Sequence, residues 1–420
     1  MASLKTSELH FAMFPWFAFG HMTPFLHLSN KLAKKGHKVS FLLPRGAQST
    51  MEPLSLNQDH IHFFPLDIPQ VDGLPPGTET ASDVPVYNHT HLCTAMDQTQ
   101  HQVQAILIFL NPDISFLRFQ LLGSSLGPPS RHQVRLLRGG VRGGSCHKAN
   151  AVAEFGSGLT LYDRLTTGMK ECDAIAMRTC PEIEGPFCDF ISQQYAKPVL
   201  LTGTLLSETQ VAPLEDRWAM WLNNFKPSSV VFCALGSQIA LDKSQFQELL
   251  LGFELAQLPF LVVLKPPQGC ATIEEALPEG FLERVCGRGV VYGGWVPQLS
   301  LLKHPSVGCF VSHCGFGSMW ESLINDCQIV LVPYLGDQVI NARLMVEEMK
   351  VAVEVERPEN GWVSKENLSK AIESVMDDSE VATLLRSNHA TWKDIVLSQD
   401  MEGGYFDSFI QNLQSLLVNC

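Results

Sequence analysis

Short apolar runs alternate with amphipathic segments through the second half of the chain, and this alternation constrains the fold more than any other feature. Near-continuous apolar runs of this kind are typical of strands buried in a parallel sheet. The helical segments between them, such as Gln245–Leu255 and Val339–Met349, supply the crossovers that parallel strands need. The predicted strands are Ser229–Leu235, Phe260–Leu264, Gly289–Tyr292, Val307–Ser312, Ile329–Pro333 and Val351–Val355.

The beginning of the chain has the same organisation. Leu9–Phe14 has the apolar pattern of a strand, and Lys38–Leu43 has that of the next one. Between them, Thr23 is the predicted N-cap of a helix with Pro24 at its first position, and Gly36 is suited to its C-terminal end. A β-α-β unit of this kind implies a parallel sheet.

We therefore predict two doubly wound, Rossmann-like α/β domains that face a cleft, because 420 residues exceed one ordinary core. The predicted N-terminal domain spans residues 1–205, the C-terminal domain spans residues 206–400, and residues 401–420 form a helical tail. In such open sheets a ligand binds at the carboxyl ends of the strands.

The composition excludes several classes of partner. The formal net charge of −13 opposes binding to nucleic acid or to an anionic membrane. No long apolar run or signal-peptide pattern is present, so we expect no membrane insertion. The twelve cysteines include no CxxC pair, which predicts reduced thiols in a cytoplasmic protein and neither a metal site nor a disulfide framework.

The segment 114–153 departs from the α/β pattern. It contains no Asp or Glu, five arginines accumulate in it, and neither the strand period nor the helix period is evident. We predict an aberrant, disordered or misfolded insert here rather than core elements. A Gly-rich phosphate loop is the alternative, but the glycines at 139–144 lack P-loop spacing and a following Lys-Ser or Lys-Thr.

The segment from Trp295 to Gln338 carries the clearest chemistry. Its predicted strand Val307–Ser312 runs into the glycine-bearing turn 313–317, and a helix is predicted to begin at Ser318. A strand, a glycine turn and a helix N-terminus together form an anion site, because free backbone N–H groups and the helix dipole point the same way. The pattern therefore predicts a diphosphate site.

Residues on either side of this turn add to the prediction. Trp295 follows a predicted strand and offers a flat face to a base, although most tryptophans only pack. Glu321 lies one turn into the helix, where it can accept hydrogen bonds from ribose hydroxyls. Asp337 and Gln338 suit sugar hydroxyls, although such a pair after a strand is more often a solvated turn.

The 44 residues Trp295–Gln338 resemble the plant secondary product glycosyltransferase box, with the family's spacing throughout. The resemblance implies a GT-B fold, inverting transfer from a UDP-sugar, and neither a metal nor another cofactor. It also implies that the tail packs back on the N-terminal domain. The residues that it assigns to the UDP-sugar site are Ser237, Trp295, Val296, Pro297, Gln298, His313, Cys314, Gly315, Phe316, Gly317, Ser318, Glu321, Asp337 and Gln338.

The resemblance also gives roles to the nucleoside-binding residues. Trp295 stacks on the uracil, the backbone of Val296 pairs with the base, and Gln298 with Glu321 holds the ribose. The stretch that ends in Ser237 matches a family segment that lies near the diphosphate.

A second group is assigned to the phosphates and the sugar. His313, Gly317 and Ser318 bind the phosphates, and Asp337 with Gln338 holds the donor sugar. The common box has Trp-Asn where this chain has Phe-Gly at 316–317, so the sugar contact and one phosphate hydrogen bond are expected to differ. This version of the box resembles the branch that adds a second sugar to flavonoid or anthocyanin glycosides, which makes a phenolic glycoside the expected acceptor.

The N-terminal half resembles the same branch around Phe14–His21, where the first strand ends and the first helix follows. The resemblance makes His21 the general base that removes the proton of the acceptor hydroxyl. Taken alone, His21 is more simply a helix-capping residue. In the family an Asp orients this histidine, whereas Arg118 occupies that position here, and Asp113 lies earlier in the chain.

These departures keep two other functions open. A shifted reading frame or mis-spliced exon between about residues 117 and 154 is our hypothesis for the odd segment, which sequencing of the transcript tests. The chain would then be a catalytically impaired relative that only binds UDP-sugar. A UDP-sugar epimerase, which needs no acceptor, is the second alternative. The donor sugar, a hexose or a pentose, is left open by the sequence.

Overall fold

The structure is a computed structural model that describes residues 8–117, 158–206, 213–398 and 403–418, and residues 132–138 as backbone. The chain divides into two compact units, one formed by Met1–Thr209 with Gln399–Cys420 and the other by Gln210–Ser398. Each unit holds one parallel sheet, so the predicted pair of Rossmann-like domains is confirmed.

The N-terminal unit is built on a parallel sheet of order β3-β2-β1-β4-β5-β6-β7. The chain order reverses between β1 and β4, where Phe14 pairs with Leu117 at the carboxyl ends of both strands. Its strands are β1 His10–Phe14, β2 Lys38–Pro44, β3 Ile61–Leu66, β4 Ile114–Leu117, β5 His132–Arg138, β6 Ala174–Arg178 and β7 Val199–Leu201. Its helices are α1 Phe19–Lys34, α2 Arg45–Met51, α3 His89–Gln98, α4 Gln100–Leu110, α5 Leu161–Glu171 and α6 Pro181–Tyr195.

The prediction of an insert without core elements is wrong for two parts of the segment 114–153. Strands β4 and β5 lie within it, and β5 pairs in parallel with β4 on one side and β6 on the other. Pairing on both sides satisfies the backbone N–H and C=O groups of β5 whatever its side-chain pattern. The rest of that segment lies outside the described residues.

Helix α1 also differs from the prediction, because it begins at Phe19 and not at Pro24. Ala18 is its N-cap residue, and the N–H groups of His21 and Met22 both donate to the Ala18 carbonyl. Pro24 therefore lies inside the helix, one turn after its start. Tertiary packing outweighs the local signal here, since Met22, Phe25 and the apolar residues beyond them are buried in the core.

The C-terminal unit has a parallel sheet of order β10-β9-β8-β11-β12-β13. Its strands are β8 Val230–Ala234, β9 Phe260–Val263, β10 Gly289–Tyr292, β11 Val307–Ser312, β12 Gln328–Leu331 and β13 Ala352–Glu354. Its helices are α7 Asp216–Leu222, α8 Lys243–Leu255, α9 Phe281–Arg284, α10 Gln298–Leu302, α11 Phe316–Leu323, α12 Asp337–Arg343, α13 Lys365–Met376 and α14 Glu380–Val396. A π-helical turn, Leu344–Glu348, continues α12.

The last helix, α15 Tyr405–Val418, belongs to the N-terminal unit. Phe406, Phe409 and Ile410 lie in that unit's core, and the ring centroid of Phe409 is 6.1 Å from that of Phe116 in β4. A salt bridge between Lys35 and Asp407 adds to this packing at the surface. Burial of three large apolar side chains contributes roughly 1.5–3 kcal/mol each, far more than an exposed ion pair.

A buried ion pair joins α3 to α5. The Arg164 guanidinium donates to both carboxylate oxygens of Asp97 at 2.8 and 2.6 Å, and neither side chain is more than 5% exposed. The forked geometry satisfies both charges, so loss of either partner would leave the other buried and unpaired. Among the described residues, no helix is long and apolar enough to cross a membrane.

We predict that His27 of α1 makes the protein sensitive to acid. Burial, together with the nearby charge of Arg178, lowers the pKa of His27 to about 3, below its usual 6.5. Between pH 6.5 and pH 3, His27 is protonated in the unfolded chain but stays neutral in the folded chain. The contribution of His27 to the free energy of unfolding is therefore fully present above pH 6.5 and is lost as the pH falls towards 3. From pH 7 to pH 5 the loss from this residue is up to about 2 kcal/mol.

Chemical denaturation at a series of pH values measures this effect. His27→Gln should flatten the dependence of unfolding free energy on pH between 7 and 5. His101→Gln, at an exposed position on α4, is the matched control and should leave the slope unchanged. Equal slopes in wild type and His27→Gln would contradict the prediction.

Candidate functional site

The predicted site lies in the C-terminal unit at the reversal of strand order between β8 and β11. These strands pair in parallel with Ala234 opposite Ser312, so their carboxyl ends stop at the same edge. The turns that follow them carry Ser237 after β8 and His313 after β11. The structure thus brings together two predicted residues that are 76 positions apart in the sequence, at the place where open α/β sheets bind ligands.

The His313 ring lies against two glycines. A Cβ atom added to Gly236 would lie 2.6 Å from His313 Nε2, and one added to Gly315 would lie 2.5 Å from it. Gly236 also has a φ of +76°, in the left-handed region that favours glycine. Both glycines are therefore needed for the imidazole to sit between the two turns. Ser237 beside it is exposed.

The turn after β11 has an unusual backbone. Cys314 has a φ of +59°, which is costly for a residue with a side chain. Its N–H donates to Ser312 Oγ at 3.1 Å, and its carbonyl accepts a hydrogen bond from Asn341 Nδ2 at 3.0 Å. The Cys314 side chain is fully buried, so only its backbone can contribute to a binding surface.

The N-terminus of α11 follows this turn, and the helix begins at Phe316, two residues before the predicted start. Gly315, its N-cap residue, has no side chain to accept the first N–H groups of the helix. A Cβ atom on Gly317 would meet nothing within 4 Å, so the helix end is open in front of it. Ser318 lies in the same first turn. This arrangement suits an anion that accepts backbone hydrogen bonds.

The Phe316 side chain points away from this surface. It is 1% exposed, and its ring packs edge-on against Trp320 with centroids 5.8 Å apart. The assignment of Phe316 to the UDP-sugar site therefore stays a prediction that only its backbone can meet, and the buried ring agrees with the expectation that the sugar contact differs from that of the common box.

Gln298, Ser318 and Glu321 form one hydrogen-bonded group. The Gln298 side-chain amide donates to Glu321 Oε2 at 2.6 Å and to Ser318 Oγ at 3.2 Å. Gln298 begins α10, whereas the other two lie on α11. Two residues to which the sequence assigned one role thus meet in space. The acceptor side chains are fixed by this bond, which favours binding of a diol such as a ribose.

Trp295 is 77% exposed, the most exposed tryptophan of the described residues. The next two residues, Val296 and Pro297, are buried and fix the loop in place. On the other side, the Tyr292 hydroxyl approaches so closely that a Cβ on Gly294 would clash with it. An indole held at the surface by a rigid loop can stack on a flat base.

Asp337 and Gln338 begin α12, next to the same edge of the sheet. Asp337 is exposed, whereas Gln338 is 6% exposed. Gln338 Oε1 accepts hydrogen bonds from the N–H groups of Tyr334 and Leu335, both at 2.9 Å. The side-chain oxygen of Gln338 thus fixes the loop before the helix. Its side-chain NH₂ group can donate a hydrogen bond to a sugar.

Sequence reasoning missed Asn341. This residue lies one turn beyond Gln338 and joins α12 to the turn at Cys314 through the hydrogen bond described above. A signal was available, because Asn341 is a polar residue in a helical stretch whose neighbour Ala342 and following residue Leu344 are buried. Its hydrogen-bond partner is a backbone carbonyl 27 positions away, and the sequence pattern does not predict that contact.

In the N-terminal unit, His21 lies in the first turn of α1 and is half-buried. Its position follows the carboxyl end of β1, at that unit's own reversal of strand order. Asp113 is bound elsewhere: its Oδ2 accepts a hydrogen bond from the N–H of His10, at the opposite end of β1. Arg118 lies outside the described residues. No group of three or more metal-ligating side chains occurs among the residues that the structure describes.

Comparison with known proteins gives consistent results. Residues 189–391 match the family described as UDP-glucoronosyl and UDP-glucosyl transferase. UDP-glycosyltransferase 79B9 of Arabidopsis thaliana is 53% identical, and the alignment covers 98% of both chains. UDP-glucosyl transferase 79T1 of Saponaria officinalis is 47% identical over 99% of this chain and 100% of that protein.

The fold is likewise similar to a solved structure. Arabidopsis thaliana UGT89C1 in complex with UDP-L-rhamnose has a TM-score of 0.80 at 21% identity, covering 98% of this chain and 100% of that one. The same protein in complex with quercetin has a TM-score of 0.79 at 20% identity, covering 97% and 100%. The predicted GT-B fold class is confirmed by these similarities.

We predict that Trp295→Ala and Glu321→Ala each weaken UDP binding. Stacking on a base and hydrogen bonds to a carboxylate are worth roughly 1–3 kcal/mol, which corresponds to a loss of about tenfold to a hundredfold. Isothermal titration calorimetry with UDP measures it. Tyr162→Ala, at an exposed aromatic residue of the N-terminal unit, is the control. Unchanged affinity in both site variants would rule out this surface as the nucleotide site.

Proposed function

The chain belongs to the plant UDP-glycosyltransferase family, and on that premise we propose that it transfers a hexose or a pentose from a UDP-sugar to a hydroxyl of a flavonoid or anthocyanidin glycoside. The observation that carries the proposal is the edge where β8 and β11 end. There an open helix N-terminus, an exposed indole and a fixed carboxylate lie in one unit. These are the three elements that a uridine diphosphate requires.

In the proposed donor complex, the uracil stacks on Trp295 and pairs with the backbone of Val296. The ribose hydroxyls donate to Glu321, whose orientation is held by Gln298. The diphosphate accepts hydrogen bonds from the first N–H groups of α11 and from Ser318, with His313 and Ser237 beside it. The sugar lies towards Asp337 and the NH₂ group of Gln338.

The proposed reaction needs one proton acceptor and one stabilised leaving group. Neutral His21 removes the proton from the acceptor hydroxyl while the oxygen attacks the anomeric carbon. The bond from that carbon to the UDP oxygen breaks on the opposite face, so the product has inverted configuration. Negative charge that develops on the β-phosphate is stabilised by the N-terminus of α11. The proposal therefore includes neither a metal ion nor another cofactor.

A phenolic acceptor is supported by the relatives. UGT89C1, which shares the fold, was solved in complex with quercetin and, in another crystal structure, with UDP-L-rhamnose. The Phe316-Gly317 version of the box favours an acceptor that already carries a sugar. We also propose a cytoplasmic location, which is supported by the ten free cysteines of the described residues. No nucleic-acid partner is proposed.

A second candidate is a relative that binds UDP-sugar without transferring it. The observation that favours it concerns the residues expected to orient His21. Arg118 takes the position of the orienting Asp, and Asp113 is engaged at the far end of β1. An arginine cannot accept the imidazole N–H, so the residue at the family's orienting position cannot hold the tautomer of His21.

We predict that His21→Ala lowers the transfer rate by about 10² to 10⁴ and leaves UDP affinity within about twofold of wild type. The expected split arises because the base acts on the acceptor and not on the nucleotide. Initial rates with UDP-glucose and a flavonoid glycoside, together with calorimetry on UDP, measure the two effects. His101→Ala is the matched histidine control. Joint loss of rate and affinity would show that His21 is structural.

A donor and acceptor panel separates the candidate functions. We expect UDP release only when a UDP-sugar and a phenolic glycoside are both present, with UDP-glucose, UDP-xylose and UDP-rhamnose compared side by side. Tight UDP binding without release under any combination would instead identify the binding-only relative. Conversion of the UDP-sugar without any acceptor would identify an epimerase. Chromatography of nucleotide and glycoside products distinguishes all three outcomes.

A further inference from the structure

Asn341 is a buried residue of α12, and it contacts the turn after β11 in the proposed donor site. Its side chain is fully buried, and its Nδ2 donates to the carbonyl of Cys314 at 3.0 Å. The orientation of the amide is fixed, because only the NH₂ group can face a carbonyl oxygen. Its Oδ1 accepts no hydrogen bond from the residues that the structure describes. A buried polar atom left in this way costs stability, so packing alone does not account for an asparagine here.

The residue that Asn341 holds is conformationally strained. Cys314 is the only non-glycine residue with positive φ between β11 and α11, and it has three fixed contacts. These are the hydrogen bond from its N–H to Ser312, the one from Asn341 to its carbonyl, and the contact of its Sγ with Met345 Sδ at 3.6 Å. Asn341 and Met345 are one turn apart. The contacts that these two residues make with the carbonyl and the side chain of Cys314 therefore come from one helical segment.

The other end of that segment carries the residues assigned to the sugar. Asp337 and Gln338 lie in the first turn of α12, and Gln338 fixes the preceding loop through the N–H groups of Tyr334 and Leu335. Asn341 is three positions after Gln338 and so shares its face of the helix. One helix therefore forms hydrogen bonds both to the loop proposed to lie near the sugar and to the turn proposed to lie near the phosphates.

We propose that Asn341 is a positioning residue for the donor: it holds Cys314 in the left-handed conformation that aims the N-terminus of α11 at the diphosphate, and it couples that turn to the helix that carries Asp337 and Gln338. The inference rests on the proposed function. It assigns Asn341 no contact with substrate. Its effect should be lost when the residue at 314 needs no help to adopt a positive φ.

A double-mutant cycle with glycine at position 314 tests this inference. Asn341→Ala should weaken UDP binding by about tenfold or more, because the turn leaves its left-handed conformation when a buried carbonyl loses its donor. Cys314→Gly makes that conformation inexpensive. In the Cys314→Gly background the same Asn341→Ala change should therefore alter UDP affinity by less than about threefold, although the double variant remains less stable.

Calorimetry with UDP and with UDP-glucose gives the affinities, and thermal unfolding gives the stabilities. Gln245→Ala is the matched control, because Gln245 is a buried amide bonded at 2.8 and 2.9 Å to the backbone of Val363, on other elements of the same unit. It should lower stability and leave the nucleotide affinities unchanged. If Asn341→Ala does not fold, Asn341→Thr fills more of the volume and takes its place in the cycle.

The outcomes separate the inference from the function on which it rests. Failure of the wild-type chain to bind UDP would overturn the proposed function itself. Wild-type binding with equal affinity in Asn341→Ala would overturn only the positioning role. An equal loss of affinity with and without the Cys314→Gly change would do the same, because it would show that Asn341 acts without Cys314. Recovery of affinity in the Cys314→Gly background supports the inference.

Discussion

The parallel pairing of β8 with β11 is the interaction on which the candidate site depends. It places Ala234 opposite Ser312, so two turns that are distant in sequence emerge at one edge of the sheet. Each turn then needs glycine, because the imidazole of His313 fills the space in which a Cβ of Gly236 or Gly315 would lie. Strand register, glycine placement and the histidine ring are thus parts of one constraint, and a shift of the register by a single residue would separate them.

This constraint also explains how the proposed diphosphate site can rely on backbone N–H groups rather than on basic side chains. The N–H groups at the start of α11 donate no hydrogen bond to a capping side chain, because the N-cap residue is a glycine. The left-handed turn at Cys314 directs the chain into this helix. Donors fixed in advance need no reorganisation when charge develops on a leaving phosphate. That suits a protein with a net charge of −13, whose overall field repels anions and whose local backbone dipoles attract them.

The N-terminal unit is stabilised by contacts from both ends of the chain. Helix α15 contributes Phe406, Phe409 and Ile410 to a core that also contains residues of helix α1 and of strands β1–β4, β6 and β7. The same helix α1 carries His21 in its first turn and His27 six residues later. Apolar packing that fixes α1 therefore also fixes the backbone position of the proposed base near the carboxyl edge of β1.

Local periodicity in the sequence was enough to predict the strands of the C-terminal unit, the two Rossmann-like domains and the block Trp295–Gln338, because a short apolar strand and a glycine turn leave their pattern in consecutive residues. Tertiary structure alone decided the rest. It made a strand of His132–Arg138, since backbone pairing on both sides outweighs an unfavourable composition. It turned Phe316 and Gln338 inward and joined Asn341 to Cys314. Such contacts link distant positions through packing and hydrogen bonds, and no pattern of neighbouring residues encodes them.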